Sequence, residues 1–308
     1  MSAVTLHQIT KTYDKGKLLA ASDISFDVKE GELFGLIGPD GAGKSTLFRI
    51  LTTLLLPDRG SATVAGFDTQ TDFKKIRGCV GYMPGRFSLY PDLTVEENLH
   101  FFASLFGTTI EANYALIKDI YEQIEPFAKR RAGKLSGGMK QKLALCCALI
   151  HKPVVLFLDE PTTGVDAVSR KEFWEMLKRL KRQGITILVS TAYMDEANLC
   201  ERIALIQEGK ILSVDTPDHI VNAYPRALYA VKATQMHQLL KDIREYPGTL
   251  SCYSFGDYLH VSFKDIDEQE KTRLEKWLGE KGHKNLEIKK IPASIEDSFI
   301  QLMNPNSP

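Results

Sequence analysis

The chain has 308 residues, of which 44% are hydrophobic and 25% are charged, so it is long enough to bury a full core and has the composition of a globular protein. Its 39 basic and 39 acidic side chains cancel, whereas nucleic-acid-binding proteins usually carry a basic excess. We therefore expect no nucleic-acid partner.

The sequence also lacks the patterns of a membrane span, a signal peptide, a disulfide framework and a zinc site. A membrane span needs about 18 uninterrupted apolar residues, and the most apolar region, 143–158, is broken by His151, Lys152 and Pro153. The N-terminus lacks the charged-then-apolar layout of a signal peptide. The five cysteines are odd in number and have no CxxC spacing, which argues against a disulfide framework or a zinc site. If the protein serves a membrane, we expect the membrane part on another chain.

Residues 1 to about 222 alternate strand-like and helix-like segments, which is the pattern of an α/β domain. The apolar runs 154–158 and 185–190 predict strands covered on both faces. Between them, apolar residues recur at helical spacing from Ser169 to Gln183, which predicts a strand–helix–strand crossover. Further strands are predicted at 25–28, 33–37 and 202–206.

A glycine-rich segment after the strand at 33–37 matches the phosphate-binding pattern GxxxxGK[ST]. An apolar helix is predicted to follow at 47–55, which completes the strand–loop–helix context that the pattern requires. Glycines let several backbone N–H groups point at one phosphate group, and the helix N-terminus adds partial positive charge. Lys44 would reach the outer phosphates of ATP, and the Ser45 hydroxyl would ligate Mg²⁺. The predicted ATP-binding residues of this loop are Gly38, Pro39, Asp40, Gly41, Ala42, Gly43, Lys44, Ser45 and Thr46.

A helix is predicted to begin after Thr94, because Glu97 lies three residues later and completes a capping box. Its apolar side chains, which we interpret as core, are Leu99, Phe102, Ala103 and Phe106.

The apolar strand at 154–158 ends in two adjacent carboxylates, Asp159 and Glu160. Successive strand residues point to opposite faces, so these two side chains have different roles. Asp159 fits the role of holding Mg²⁺, and Glu160 is the candidate general base that polarises the attacking water.

A second domain is predicted after Asn222, where Tyr224 and Pro225 mark the boundary. We place the first domain at 1–222 and the second at 225–303. The second domain reads as strand, helix, two strands around Gly256, helix, strand and helix, which predicts a small ferredoxin-like α+β fold. Its predicted elements are 228–231, 236–243, the two strands flanking 256–257, 268–279, 286–288 and 295–303. The tail 304–308 is predicted to be disordered.

The segment 135–141 reads LSGGMKQ and is similar to the LSGGQ signature of the ABC ATPases. The segment 163–166 resembles the D-loop of that family, and Tyr13 stands after the first strand, where the family places an aromatic that stacks on adenine. The resemblance covers residues 1 to about 215. It implies a P-loop NTPase fold of the ABC type, with a helical subdomain that carries the signature.

The resemblance also implies a second phosphate-binding surface at Ser136, Gly137 and Gly138, where a helix begins. In the family this surface closes over the γ-phosphate held by the facing chain, so that two ATP molecules join two ATPase domains. Hydrolysis releases them, and the cycle drives a separate membrane permease. The chain is thus expected to be an ATP hydrolase that uses ATP and Mg²⁺ and lies at the cytoplasmic face of the cell membrane.

Longer segments resemble bacterial exporters of the second ABC type, which include multidrug, antibiotic and polysaccharide efflux systems. These segments are GYMPGRFSLYPDLTVEENL from Gly81, AGKLSGGMKQKL from Ala132, EPTTGVDAVSRKEFW from Glu160, and the closing IEDSF from Ile295. The greatest resemblance is to the amino-terminal half of tandem-ATPase multidrug efflux subunits. The transported substrate is not encoded in these segments.

The chain departs from the family pattern at two catalytic positions. Gly85 stands where the family has a glutamine that contacts Mg²⁺ and water, and Ala192 stands where it has a histidine that bonds the γ-phosphate. Losing contacts of this kind costs roughly 10²-fold or more in rate. We therefore predict a slow nucleotide site, unless Arg86 or Tyr193 supplies a replacement group.

A slow site with an intact signature favours a heterodimer with a fully equipped ATPase subunit over a homodimer. A regulatory subunit with little turnover of its own is the alternative. Tandem ATPases that act on ribosomes are disfavoured because only one set of motifs is present, and DNA-repair relatives because no coiled coil separates the loop from the signature. The surface for the membrane subunit is predicted at 86–106, with Phe87, Leu89 and Tyr90 as candidate contacts, and an interpretation of these three residues as domain core stays open.

Overall fold

The structure, a computed structural model, describes residues 1–264 and 269–304. The chain divides into two compact units, Met1–Pro217 and Asp218–Pro308. The predicted domains, 1–222 and 225–303, place this division slightly later. No helix among the described residues is long and apolar enough to cross a membrane.

The first unit contains an antiparallel sheet and a mainly parallel sheet. Its strands are β1 (Ser2–Tyr13), β2 (Leu18–Lys29), β3 (Leu33–Ile37), β4 (Arg59–Val64), β5 (Phe67–Asp68), β6 (Val80–Met83), β7 (Val155–Asp159), β8 (Thr186–Thr191), β9 (Arg202–Gln207) and β10 (Lys210–Asp215). The antiparallel sheet has the order β2-β1-β4-β5. The other sheet has the order β10-β9-β3-β8-β7-β6, in which β10 alone among the described strands runs antiparallel to its neighbour.

The helices that lie between these strands in the chain are α1 (Lys44–Leu51), α2 (Phe73–Cys79), α3 (Val95–Leu105), α4 (Tyr114–Tyr121), α5 (Gly137–Leu149) and α6 (Ala167–Arg182). Helix α7 (Pro217–Asn222) begins at the last residue of the first unit and continues into the second. Short 3-10 turns lie at Asp14–Gly16, Glu111–Asn113, Glu125–Phe127, Ala132–Lys134 and Met194–Leu199.

The predicted strand–helix–strand crossover is confirmed. Every residue of β7 and of β8 is buried, as expected for strands that are covered on both faces. Helix α6 connects them, and its buried side chains are Phe173, Trp174, Met176, Leu177 and Leu180. Because β3, β8 and β7 are parallel neighbours, their carboxyl ends meet at one edge of the sheet.

Helix α1 is shorter than predicted, so the expected helix over 47–55 is wrong at its C-terminal end. Thr53 has φ 62°, in the left-handed region, and ends the helix after Leu51. The Thr52 hydroxyl donates to the Phe48 carbonyl at 2.7 Å, and the Leu54 N–H donates to the Arg49 carbonyl at 2.8 Å. The turn leaves the Leu54 side chain 58% exposed rather than in the core.

Helix α3 begins as predicted, with a complete capping box. The Thr94 hydroxyl accepts from the Glu97 N–H at 3.2 Å, and the Glu97 carboxylate accepts from the Thr94 N–H at 2.8 Å. Thr94 also forms a β-bridge with Arg131, just before the signature segment. The start of α3 and the start of the signature are therefore held close together.

Asn98, on α3, holds the loop that precedes this helix. Its side chain is fully buried, and its Oδ1 accepts from the Tyr90 N–H at 3.1 Å. Its Nδ2 lies within donor distance of the carbonyls of Tyr90, Leu93 and Thr94 at 3.1, 3.3 and 2.9 Å. One side chain thus lies within hydrogen-bonding distance of four backbone groups around this loop.

We expect Asn98→Leu to lower the free energy of unfolding by about 2–3 kcal/mol, because it leaves these backbone groups without their partner. Chemical denaturation of the full chain measures this change. The Asn98→Asp variant keeps the acceptor for Tyr90 but places a buried carboxylate oxygen against the three carbonyl oxygens, so we expect a loss at least as large as that of the leucine variant. A change below about 0.5 kcal/mol for the leucine variant, which is usual for surface substitutions, would contradict this role.

The second unit has the predicted ferredoxin-like order. Its strands are β11 (Leu228–Lys232), β12 (Thr249–Phe255), β13 (Tyr258–Phe263) and β14 (Glu287–Ile291), and its helices are α8 (Met236–Glu245), α9 (Glu270–Glu280) and α10 (Ile295–Met303). The sheet order β12-β13-β11-β14, with antiparallel neighbours throughout the described strands, is that of a βαββαβ fold. Residue 268, the first of the predicted helix 268–279, lies outside the described residues. Residues 305–308 of the predicted tail, 304–308, also lie outside them.

Candidate nucleotide-binding site

The glycine-rich loop lies between β3 and α1, at the sheet edge where β3, β7 and β8 end. Gly43 has φ 104°, and a Cβ there would lie 2.1 Å from the Ala20 carbonyl oxygen. A Cβ at Gly38 would lie 2.1 Å from the Ile206 carbonyl oxygen. Neither position accommodates a side chain, so the close approach of the neighbouring backbone requires glycine at both.

Lys44 is buried within this loop, with 3% of its side chain exposed. Its Nζ donates to the carbonyls of Gly38 and Pro39 at 2.7 and 2.9 Å. The same Nζ lies 3.0 Å from Oε1 of Glu160. The structure therefore brings the predicted phosphate-binding cation and the predicted general base into direct contact.

The two carboxylates at the end of β7 have different surroundings, in line with their predicted division of roles. Asp159 is 4% exposed, and its Oδ1 accepts from the Ser190 hydroxyl at 2.7 Å. The chain turns at Glu160, which has φ 50°, and its N–H lies 3.1 Å from the Ser190 carbonyl oxygen. The end of β8 thus fixes both acidic residues.

A cavity of about 440 Å³ borders these two carboxylates. Its lining includes Ser45, Asp159 and Glu160, together with Gly85 and Arg86. Hydroxyl and carboxylate oxygens are the protein ligands that Mg²⁺ prefers, usually alongside substrate phosphates. The residues present therefore fit an Mg²⁺ ion held by Ser45 and Asp159.

Tyr82 also lines this cavity. Burial, together with the nearby Asp159 charge, raises the pKa of Tyr82 to about 12. Its hydroxyl therefore stays protonated at neutral pH.

Tyr13 is the last residue of β1, not a residue of the following loop as the sequence suggested. Its side chain is half-buried, and its hydroxyl oxygen lies 3.3 Å from Oγ1 of Thr46 on α1. The structure therefore places Tyr13 beside the start of α1, at the end of the phosphate-binding loop.

The signature residues lie at the N-terminus of α5. Ser136 is the N-cap, and its hydroxyl accepts from the Met139 N–H at 3.4 Å. Ser136 and Gly137 are exposed, and Gly138 lies against Ser169 of α6. Among the described residues, those lining the 440 Å³ cavity do not include the signature, but Gly137 lines an adjacent groove together with Gly85 and Glu160.

Both positions that depart from the family pattern lie at the site. Gly85 lines the cavity, and a Cβ there would lie 3.1 Å from the Asp159 carbonyl oxygen. Ala192 directly follows Thr191, whose carbonyl accepts from the Gly38 N–H at 3.2 Å. Neither glycine nor alanine offers a polar side-chain atom to a nucleotide at these places.

Arg86 and Tyr193 are the candidate replacements for the missing glutamine and histidine. Their surroundings differ from each other and from those of His151. The Tyr193 ring lies 4.6 Å from the Arg170 guanidinium carbon, so Arg170 of α6 covers one face of this ring. Arg86 is exposed and lines the cavity. His151 follows α5, where it stacks on Phe106, and burial lowers its pKa. Arg86 is therefore the better placed of the two replacements.

A larger groove of about 690 Å³ lies next to this cavity. We call it the apolar groove. Exposed apolar side chains that line it include Leu54, Phe87 and Leu105, of which Leu105 is 64% exposed. Sequence reasoning found Phe87 but missed Leu54, because the predicted helix over 47–55 would have placed that residue within its apolar run.

The chain resembles known proteins in both sequence and fold. The ABC transporter family profile matches residues 21–163. The probable multidrug ABC transporter ATP-binding protein YbhF of Escherichia coli (strain K12) is 42% identical over 221 residues, which are 71% of this chain but 38% of that protein. The Nod factor export ATP-binding protein I of Burkholderia pseudomallei (strain K96243) is 36% identical over 313 residues, which are 98% of this chain and 97% of that protein.

Solved structures share the fold. A dimeric ATP-binding cassette in a post-hydrolysis state, bound to ADP and Pi, superposes with a TM-score of 0.63 at 27% identity, over 69% of this chain and 98% of the other. An ATP-binding subunit of an ABC transporter superposes with a TM-score of 0.66 at 26% identity, over 72% of this chain and 93% of the other.

Proposed function

The chain belongs to the ATP-binding proteins of ABC transporters, and we propose that it binds and hydrolyses ATP to drive export through a separate membrane subunit. The names of the relatives support the direction of transport, since one is a probable multidrug protein and another a Nod factor export protein. The chain would act at the cytoplasmic face of the membrane, with that subunit and a second ATPase chain as partners. The cargo is left open.

The residues of the site have separate tasks in this reaction. Backbone N–H groups of the loop and Lys44 bind the phosphates, while Ser45 and Asp159 hold Mg²⁺. When bound, Mg²⁺ neutralises charge that develops on the phosphate oxygens. Glu160 orients and polarises the attacking water, and Tyr13 stacks on adenine. The 3.0 Å contact between Lys44 and Glu160 supports a site in which the phosphate and the attacking water lie next to each other.

The site is further proposed to be slow. The observation that carries this proposal is that Gly85 lines the cavity beside Asp159 and Glu160 and offers no side chain. Ala192 removes a second contact at the adjacent strand end. Binding groups are nonetheless complete, so ATP is held but turned over slowly. A fully equipped partner ATPase, completed by this chain's signature, would then supply most of the turnover.

A steady-state ATPase assay of the purified full chain tests this proposal. We expect a rate about 10²-fold or more below that of a chain with both catalytic groups, together with saturable Mg-ATP binding. The matched control is Lys44→Ala, which should abolish the binding. A rate typical of complete ABC ATPases from the chain alone would overturn the slow site and the preference for a heterodimer.

The apolar groove supports a docking surface for the membrane subunit. Of the predicted contacts in 86–106, Phe87 lines it and is exposed, whereas Leu89 lines it but is buried. Tyr90 is exposed and packs on the Phe101 ring. Exposed apolar side chains of this extent commonly mark a protein interface. The buried Asn98 holds the loop that carries these residues, which gives the surface a fixed shape.

A regulatory subunit with negligible own turnover is the second candidate. The same losses at Gly85 and Ala192 favour it, and it differs from the first only in whether residual hydrolysis contributes to transport. Glu160→Gln in the assembled transporter separates the two, because a small loss of transport means that residual hydrolysis contributes, whereas unchanged transport means that the chain's own site is regulatory.

A further inference from the structure

A buried carboxylate that has no part in the proposed reaction lies on the segment after β8. Glu196 belongs to the 3-10 turn Met194–Leu199 and is 2% exposed. Its Oε2 accepts from the Thr162 hydroxyl at 3.2 Å, and Thr162 is also buried. In the described part of the chain, Oε1 of Glu196 is buried without a hydrogen-bond partner. Burying a carboxylate costs free energy that one hydrogen bond does not offset, so the stability of the fold does not explain Glu196.

Thr162 lies two residues after the proposed general base, in the turn that follows β7. Glu160 has φ 50°, and a left-handed backbone at a residue other than glycine persists only where the surroundings fix it. Before the turn, the carbonyl and hydroxyl oxygens of Ser190 lie 3.1 and 3.0 Å from the Glu160 backbone nitrogen. Within the turn, the Thr163 N–H donates to the Glu160 carbonyl at 3.2 Å. The backbone of Glu160 is therefore held on its β8 side, and the turn is closed.

After the turn, a single hydrogen bond ties the chain to another element. The Val165 N–H donates to the Thr162 carbonyl at 3.3 Å, but that bond lies within the segment itself. Among the hydrogen bonds that the described residues form, Thr162–Glu196 is the one that joins 161–165 to a distant part of the chain. Both anchors of the Glu160 turn thus belong to β8 or to the segment that follows it.

We propose that Glu196 is a positioning residue for Glu160 and acts through the Thr162 hydroxyl. This rests on the proposed function, in which Glu160 polarises the attacking water. A carboxylate accepts a hydrogen bond more strongly than a neutral amide does, so Glu196 holds Thr162, and with it the turn, in one place. The Glu160 carboxylate then meets the water at the distance and angle that general base catalysis requires.

Single-turnover hydrolysis of bound Mg-ATP by the full chain tests this assignment, with the Kd for Mg-ATP measured separately. The test variant carries both Thr162→Val and Glu196→Met. Because both partners become apolar, no buried group loses its partner, and the variant should fold with near wild-type stability. A misplacement of about 1 Å can cost about 10²-fold in rate, so we expect hydrolysis to slow about 10-fold or more. The Kd should stay within about 2-fold of wild type, because neither side chain contacts the phosphate-binding loop.

Three single variants test the hydroxyl, the carboxylate and the neighbouring charge. Thr162→Ser keeps the hydroxyl and should keep the wild-type rate. Glu196→Gln keeps a neutral acceptor and should slow hydrolysis less than the double variant does. Asp195→Asn is the matched control, because the Asp195 side chain is 77% exposed and lies 3.8 Å from Arg170. Its loss should leave the rate unchanged.

The Glu160→Gln background separates positioning of the base from other effects. If Glu196 acts through Glu160, adding the double substitution to Glu160→Gln slows hydrolysis no further. A further loss in that background, or an unchanged rate in the folded double variant, overturns the assignment. A rise in Kd that accounts for the whole loss of rate also overturns it. If Glu160→Gln alone leaves the wild-type rate unchanged, the proposed role of Glu160 is overturned, and this assignment with it.

Discussion

The double substitution Gly85→Gln and Ala192→His is expected to raise the ATPase rate of the purified chain by about 10²-fold. The amide at 85 would face the cavity that Asp159 and Glu160 line, and the imidazole at 192 would follow the strand end that holds Gly38. Each supplies a contact that strengthens as charge develops on the γ-phosphate. The measurement is the steady-state rate at saturating Mg-ATP.

Two control variants show whether the gain comes from these side chains. Gly85→Ala adds only the Cβ, which lies 3.1 Å from the Asp159 carbonyl oxygen, and should give no gain. Adding Glu160→Gln to the double variant should remove the gain, because the general base is lost. If the double variant folds and binds ATP but hydrolyses at the wild-type rate, the two missing groups do not explain a slow site.

In the assembled transporter, Gly138→Asp is expected to lower transport by about 10²-fold or more, whereas Glu160→Gln should change it less than about 2-fold. The reason is that, in the proposed function, the signature acts on the partner's ATP and Glu160 acts on the chain's own. Aspartate at 138 places a negative charge beside the phosphate and crowds the Ser169 hydroxyl, which lies 3.1 Å from the added Cβ. Vesicle transport assays measure both variants.

Gly279→Asp is the matched control for this pair. Gly279 lies in α9, and an added Cβ there has open space around it, so transport should be unchanged. Equal losses from Gly138→Asp and Glu160→Gln would instead mean that both sites drive transport equally, as in a homodimer. No loss from Gly138→Asp would mean that this signature does not act on a neighbouring nucleotide.

The sequence predicted those parts of the fold and of the site that depend on residues close together in the chain. The capping box of Thr94 and Glu97 is a local pattern, and so is the strand–loop–helix around Lys44. The ferredoxin-like order followed from the succession of elements, because few topologies fit it. The roles of individual site residues stay predictions, although the structure brings Lys44, Ser45, Asp159 and Glu160 together.

Features that depend on long-range packing were not predictable in this way. The left-handed Thr53, which ends α1, carries no glycine or proline signal. Tyr13 pairs with Leu18 across the hairpin and therefore belongs to β1, which its own sequence context does not reveal. The hydrogen bond between Thr162 and Glu196 joins residues far apart in the chain, and no spacing rule predicts it.

At this site the residues that pair in the sheet end just before the two positions that lack catalytic side chains. The last paired residues of β6 and β8 are Met83 and Thr191, and both Gly85 and Ala192 lie just beyond them. Side chains at these two positions are therefore not needed for the sheet to form. Exchanging the residues at 85 and 192 therefore changes which groups face the cavity without changing which residues pair in the sheet.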